Sequence, residues 1–207
     1  LKRNTYFTSD WHIGHNNCLE FDKRPFKNIN HMHTVLINNY NASVKVNDVC
    51  YFVGDVGLCK DSELIMEIIG KLNGTKVLVI GNHDKSPSFM GQMFDVVLNG
   101  VVLTIAKERV TISHCPLMGL FREDVSGLRG SVDGEGWHGE SRPKNRLLSF
   151  KNEGQFHLHG HVHAGPLNPK SNKIENKQYD IGVVGNDYRP VSISQIESWI
   201  CKYKNSK

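Results

Sequence analysis

The sequence predicts an α/β protein, with a partly parallel sheet in its first half and antiparallel strands in its second. Three observations carry this. Between residues 4 and 80, apolar β-forming runs alternate with stretches of helical period, the order of crossover units. From residue 94 to 113, short apolar runs follow one another without a helix between them. Five strand-like runs end in Asp, Asn or His, and α/β enzymes assemble their sites on the loops beyond strand ends.

Residues 4–9 form the first strand. Residues 10–26 form a polar loop that closes on the turn Arg24-Pro25-Phe26. Met32, Val35, Leu36, Asn39 and Tyr40 fall at helical spacing and place an amphipathic helix over 28–42. Val49 to Val53 is a continuous apolar run that suits a buried strand. Leu64, Ile65, Ile68, Ile69 and Leu72 share one face of a helix over 61–72, with Asn73-Gly74 as its stop. Residues 76–80 are the third strand. Asn99-Gly100 between 94–98 and 101–105 reads as a hairpin turn, with 109–113 as a further antiparallel strand. Residues 156–159, 178–184 and 190–193 add short runs, and 196–203 closes the chain as helix or strand. The stretch 115–146 is too long for an ordinary connection and reads as a loop that shapes substrate choice, with Trp137 and His138 near its end. Residues 142–150 return to helix.

A chain of 207 residues supports one domain, 1–207, with a sizeable core. Hydrophobic content of 39% with 22% charged residues describes an ordinary soluble globular chain. The charge of +4 tolerates a polyanionic substrate without demonstrating one. No basic cluster carries interleaved aromatics, which argues against a sequence-specific nucleic-acid binder. Five scattered cysteines, an odd count without a Cys-x-x-Cys pair, point to a reducing compartment, hence the cytoplasm. The first residues lack the apolar core of a secretion signal, and no apolar stretch is long enough for a transmembrane helix.

The strand-end residues are Asp10-Trp11-His12, Gly54-Asp55, Gly81-Asn82-His83-Asp84, His114 and Gly160-His161-Val162-His163. Asp10, His12, Asp55, Asn82, His114, His161 and His163 exceed what one zinc ion with an open position needs. They suit two divalent cations sharing a bridging carboxylate, and the O/N donor set without cysteine fits Mn, Fe or Zn better than copper or an iron–sulfur cluster. Mn is the first expectation, with Fe, Zn, Ni or Mg as the other options. His15, Asn16 and Arg24 are candidate substrate contacts, Arg24 because a planar fork suits a phosphate. His31 and His33 are expected on a solvated helix face. His157 and His159 share a face with His161 and His163 by alternation, either as supports of the site or as histidines satisfied within the sheet.

Taken in this order, the five motifs resemble the calcineurin-like metallophosphoesterases, and Arg24-Pro25-Phe26 after the first of them resembles the short bacterial and phage-type branch. The resemblance implies two mixed β-sheets packed as a sandwich flanked by helices, the four-layer αββα fold. It implies a first metal held by Asp10, His12, Asp55 and His163, and a second held by Asp55, Asn82, His114 and His161, with Asp55 bridging. It implies in-line attack of a metal-bound hydroxide on a phosphate ester, His83 protonating the leaving oxygen and Asp84 orienting His83. Val56 and Gly57 stand where such proteins often carry a second acid after Gly-Asp. The expected substrate is a phosphodiester, such as a cyclic nucleotide or a nucleic-acid end. The alternatives are a phosphomonoester, from a phosphoprotein or small metabolite, and a metal-binding scaffold without catalysis.

Overall fold

The computed structural model describes residues 3–58, 62–117, 150–163 and 177–206. Two mixed sheets make the frame. The first runs β4-β3-β2-β1-β9, built from β1 (Thr5–Thr8), β2 (Val49–Phe52), β3 (Thr75–Val79), β4 (Val96–Leu98) and β9 (Val191–Ser192). Its first four strands are mutually parallel, and β9 pairs antiparallel with β1. The second runs β5-β6-β7-β8, from β5 (Val101–Ile105), β6 (Glu108–Ile112), β7 (Phe156–His159) and β8 (Gln178–Asp180). There β5 and β6 are antiparallel, while β7 runs parallel to both β6 and β8.

Alternation along the strands builds two cores. Cys50, Phe52 and Leu78 point from the first sheet toward α2 (Ile29–Ser43) and α3 (Ser62–Gly70), meeting Met32, Leu36, Tyr40, Ile65 and Ile69. Phe7, Val53 and Val79 join Val110, Ile112, Phe156 and Leu158 of the second sheet in the other core. The helix α5 (Ile193–Asn205) adds Ile196, Trp199, Ile200 and Tyr203 to that second core. Two short helices, α1 (Cys18–Phe21) and α4 (Pro87–Met90), sit in the connections after β1 and β3.

The structure corrects several expectations. Asn99-Gly100 does not turn a hairpin: β4 stays parallel to β3 in one sheet and β5 begins the other. The hairpin lies one strand later, where Ala106 and Lys107 hold φ of 50° and 64° between β5 and β6. Two consecutive left-handed residues match the right-handed strand twist, whatever their identity. The last segment resolves as helix because Ser192 and Gln195 form a reciprocal capping box at its start. His33 is not solvated. It is buried, and its Nε2 accepts the backbone N–H of Gly14 at 3.1 Å. Trp137, His138, Cys59 and all but the first residues of the expected 115–146 loop lie outside the described residues, as does nearly all of the helix expected over 142–150. Among the described residues, no helix is long and apolar enough to cross a membrane.

Candidate metal centre

Asp10 and His12 follow β1, Asp55 follows β2, Asn82 follows β3, His114 follows β6, and His161 and His163 follow β7. These strands point the same way within each sheet, so their C-terminal ends deliver all seven residues to one edge of the sandwich. The loops are tightly interlocked. Gly54 has φ +83°, and a Cβ there would meet His114 Nδ1 at 2.5 Å and Gly81 Cα at 2.6 Å. At Gly160, a Cβ would strike Ser9 and the Asp10 carboxylate. Only glycine lets these backbones approach so closely. Asp10, His12, Asp55, His161 and His163 themselves hold φ between 47° and 69°. Each such left-handed residue stores about 1–3 kcal/mol, strain that clusters at functional sites.

Two groups of ligand atoms result, each within 4.8 Å of one another: Asp10, His12 and His163, then Asp55, His114 and His161. In the first, His163 Nε2 lies 3.4 Å from Asp10 Oδ1 and 3.0 Å from His12 Nε2. In the second, His114 Nε2 lies 3.3 Å from Asp55 Oδ2, and Asn82 joins through Oδ1, 3.1 Å from His161 Nδ1. Asp55 Oδ2 also lies 3.8 Å from His12 Nε2, so this carboxylate faces an imidazole of each group.

The electrostatics follow from this crowding. Burial alone would raise the Asp10 carboxyl, but His163, His114 and His12 outweigh it and hold it below the usual carboxylate range. Asp55 behaves likewise, with His114 the main opposing group. Burial lowers the His12 pKa to about 3, against the pull of Asp55 and Asp10. At His114, burial is overcome by Asp55 and Asp10, and the pKa rises to about 10.

The donors fit divalent cations. His114 Nδ1 is committed to the Val53 carbonyl at 2.8 Å, while its buried Nε2 has no hydrogen-bond partner among the described residues. A buried imidazole nitrogen aimed at a carboxylate and a second imidazole, with its other nitrogen fixed by a carbonyl, is the arrangement of a metal ligand.

The other candidate residues divide. His83 is half-buried beside the first group, its ring centroid 5.9 Å from that of His12, and its backbone N–H donates to Asp55 Oδ1 at 2.9 Å. Asp84 is buried and acts on backbone: its carboxylate accepts the N–H groups of Gly81 at 2.7 Å, Val56 at 2.8 Å and Asp55 at 3.1 Å. The Asp84 carboxylate is thus a clamp between two loops. Burial, then the charge of Asp55, pushes the Asp84 pKa up to about 6. His15 is half-buried with its ring 5.6 Å from that of His12, and Asn16 is exposed on the turn that follows. Arg24, expected as a substrate contact, faces the protein interior. Its side chain is fully buried, paired with Asp22 at 2.8 Å and donating to the carbonyls of Trp11 and Asp10.

His157 and His159 are both fully buried on β7. His157 Nδ1 is 2.9 Å from Thr111 Oγ1, and its Nε2 is 3.1 Å from the Cys115 carbonyl. The ring of His159 stacks on that of His157 at 5.8 Å. Sequence reading missed Asp22, which lies 2.9 Å from His163 Nδ1. Its one signal was proximity to the Arg24-Pro25-Phe26 turn, since nothing in its spacing links it to residue 163.

No known family profile matches the chain. It is 30% identical over 210 residues to the uncharacterized protein MJ1445 of Methanocaldococcus jannaschii, an alignment that covers 98% of this chain and 94% of that one. It is 26% identical over 188 residues to the Gene 66 protein of Mycobacterium phage L5, covering 87% and 86%. Its fold matches the crystal structure of the protein of unknown function AQ665 from Aquifex aeolicus with a TM-score of 0.68, covering 95% of this chain and 99% of that one at 22% identity.

Proposed function

We propose that this chain, which belongs to the same family as the uncharacterized protein MJ1445 of Methanocaldococcus jannaschii, is a binuclear metal-dependent phosphoesterase that acts on phosphodiesters. One observation carries the reading: Asp55 Oδ2 lies 3.8 Å from His12 and 3.3 Å from His114, one imidazole from each group, where a bridging carboxylate belongs. The resemblance of the five motifs to calcineurin-like metallophosphoesterases supports it. Asp10, His12, His163 and Asp55 would hold one ion, and Asp55, Asn82, His114 and His161 the other. Mn is favoured by the mixed carboxylate, carboxamide and imidazole donors. Two divalent ions, when bound, supply Lewis-acid stabilisation of the phosphoryl oxygens and activation of the attacking water.

The chain's own residues do the rest. Asp84 ties the Gly54-Asp55 loop to the Gly81-Asn82 loop, so the bridging carboxylate and Asn82 keep a fixed separation. The N–H of His83 orients Asp55 through Oδ1, leaving Oδ2 toward the imidazoles. The imidazole of His83, half-buried at the rim, would hold a proton for the leaving oxygen. The mildly basic chain suits an anionic nucleotide or nucleic-acid end as substrate.

The test is hydrolysis of a panel of phosphate mono- and diesters by protein stripped of metal and reloaded with Mn, Zn, Mg or Ni. Diesters turned over faster than monoesters, only after reloading, is the expected result. No turnover of any ester with two ions bound would leave a metal-binding scaffold.

A further inference from the structure

The turn Arg24-Pro25-Phe26 meets the metal centre through Asp22, the residue that ends α1. Asp22 Oδ1 and Oδ2 lie 2.9 Å and 3.0 Å from His163 Nδ1. The opposite nitrogen, Nε2, is the one that faces Asp10 and His12. Behind Asp22, Arg24 reaches Oδ2 with Nε at 2.9 Å and Nη2 at 2.8 Å. The same guanidinium donates to the carbonyls of Asp10 at 3.1 Å and Trp11 at 3.2 Å, with no part of the side chain exposed.

We infer that Asp22, clamped by Arg24, is the positioning residue that sets the orientation and tautomer of His163 for the first divalent ion. This rests on the binuclear reading above. A buried ion pair that only tied α1 to the β1 loop would need no third partner. Here the carboxylate also takes the Nδ1–H of an imidazole, which directs the Nε2 lone pair at Asp10 and His12 and makes the ring a stronger ligand. His163 sits in a left-handed backbone conformation past the end of β7, so the placement of its ring falls to side-chain partners such as Asp22. Arg24 adds a second tie: by binding the Asp10 and Trp11 carbonyls, it fixes the loop that carries the other ligands relative to Asp22. A lysine could not reproduce this fork.

The experiment uses the full chain stripped of metal and titrated with Mn(II), free ion being counted by electron paramagnetic resonance. The unmutated protein is expected to take up two ions. Asp22→Asn keeps shape and loses the charge, and should weaken one of the two ions by about 10–100-fold while leaving the other unchanged. Arg24→Lys should weaken the same ion, and the double variant should lose little more than either alone. Asp48→Asn serves as the control, since Asp48 is buried and holds the backbone of Asn4 and Lys45 away from the centre. It should lower stability and leave both ions in place. A lower melting temperature for Asp22→Asn with both affinities intact would make Asp22 structural and overturn the inference. If the unmutated protein takes up only one ion, the binuclear reading falls, and the effect of Asp22→Asn on that ion still judges Asp22. If Asp22→Asn does not fold, the unmutated protein decides: loaded with Zn(II), long-range proton–nitrogen NMR should place the His163 proton on Nδ1, and a proton on Nε2 overturns the inference.

Discussion

Asp84 Oδ2 accepts the backbone N–H of Asp55 at 3.1 Å, so a side chain of one strand-end loop holds the main chain of the next. The same oxygen accepts from Gly81, and Oδ1 accepts from Val56. Asp84→Asn leaves one oxygen to face three donors and turns an amide N–H₂ toward them. Loss of charge-assisted bonds at a buried site should cost about 3 kcal/mol. In a chain of this size that lowers the melting temperature by about 6–12 °C. Thermal unfolding of the metal-free protein checks this; an unchanged transition would mean that the clamp does not hold the loops.

Asp55→Asn should loosen both ions together, because one carboxylate faces His12 and His114 at once. Asp10→Asn should weaken one ion far more than the other, since Asp10 belongs to the first group alone. Elemental analysis after dialysis separates the two patterns. One ion retained at full occupancy in Asp55→Asn would remove the bridge.

His83→Ala should keep both ions and slow turnover by about 10²–10⁴-fold on alkyl phosphoesters, the usual range for lost general-acid help. A nitrophenolate leaves without a proton, so nitrophenyl esters should lose much less. The ratio of the two losses at fixed metal content is the measurement. Equal losses would reduce His83 to an electrostatic or positioning part, and lost metal would make it a ligand.

His157 supplies a pH test away from the centre. Burial pushes its pKa down to about 4, below the 6.5 of an unfolded histidine. In that interval the unfolded chain binds the extra proton, so this stability is fully present above pH 6.5 and is lost as pH falls through 4. The loss should approach about 3 kcal/mol. Around it stand Thr111, Ser113, the Cys115 carbonyl and the ring of His159, itself held neutral by burial. His157→Gln should flatten the slope of urea-unfolding free energy between pH 7 and 4; an unaltered slope would assign it elsewhere.

The parallel half of the fold was legible because its signals are local. Apolar runs at Val49–Phe52 and Thr75–Val79 and the spacing of Met32, Leu36 and Tyr40 each declare one element. The hairpin was misplaced because Ala106 and Lys107 lack the glycine or asparagine that announces two left-handed residues, while Asn99-Gly100 has the letters without the geometry. The closing helix was legible in principle through Ser192 and Gln195. Within the site, the strand-end residues stood out as chemistry at regular positions. Asp22, which meets His163 across 141 residues, the burial of Arg24 and His33, and the backbone task of Asp84 depend on which loops meet in space, or on which face of a helix is covered. No spacing in one dimension encodes that.

The left-handed backbone at Asp10, His12, Asp55, His161 and His163 changes how this site can be interrogated by mutation. Asp, Asn and His are the non-glycine residues that tolerate this conformation best, so ligand chemistry and backbone geometry select the same short alphabet. An alanine scan would therefore confound two losses, since each alanine removes a donor and also replaces a residue that tolerates this region with one that tolerates it less well, while only glycine escapes the Cβ penalty of about 1–2 kcal/mol. Glycine at the histidines and asparagine at the aspartates separate the two. In the metal-free chain, His12→Gly should be more stable than His12→Ala by about 1 kcal/mol, the reverse of the order seen in helices. Chemical denaturation of that pair reads the strain without any ion present, and equal stabilities would mean that the loop relaxes around residue 12.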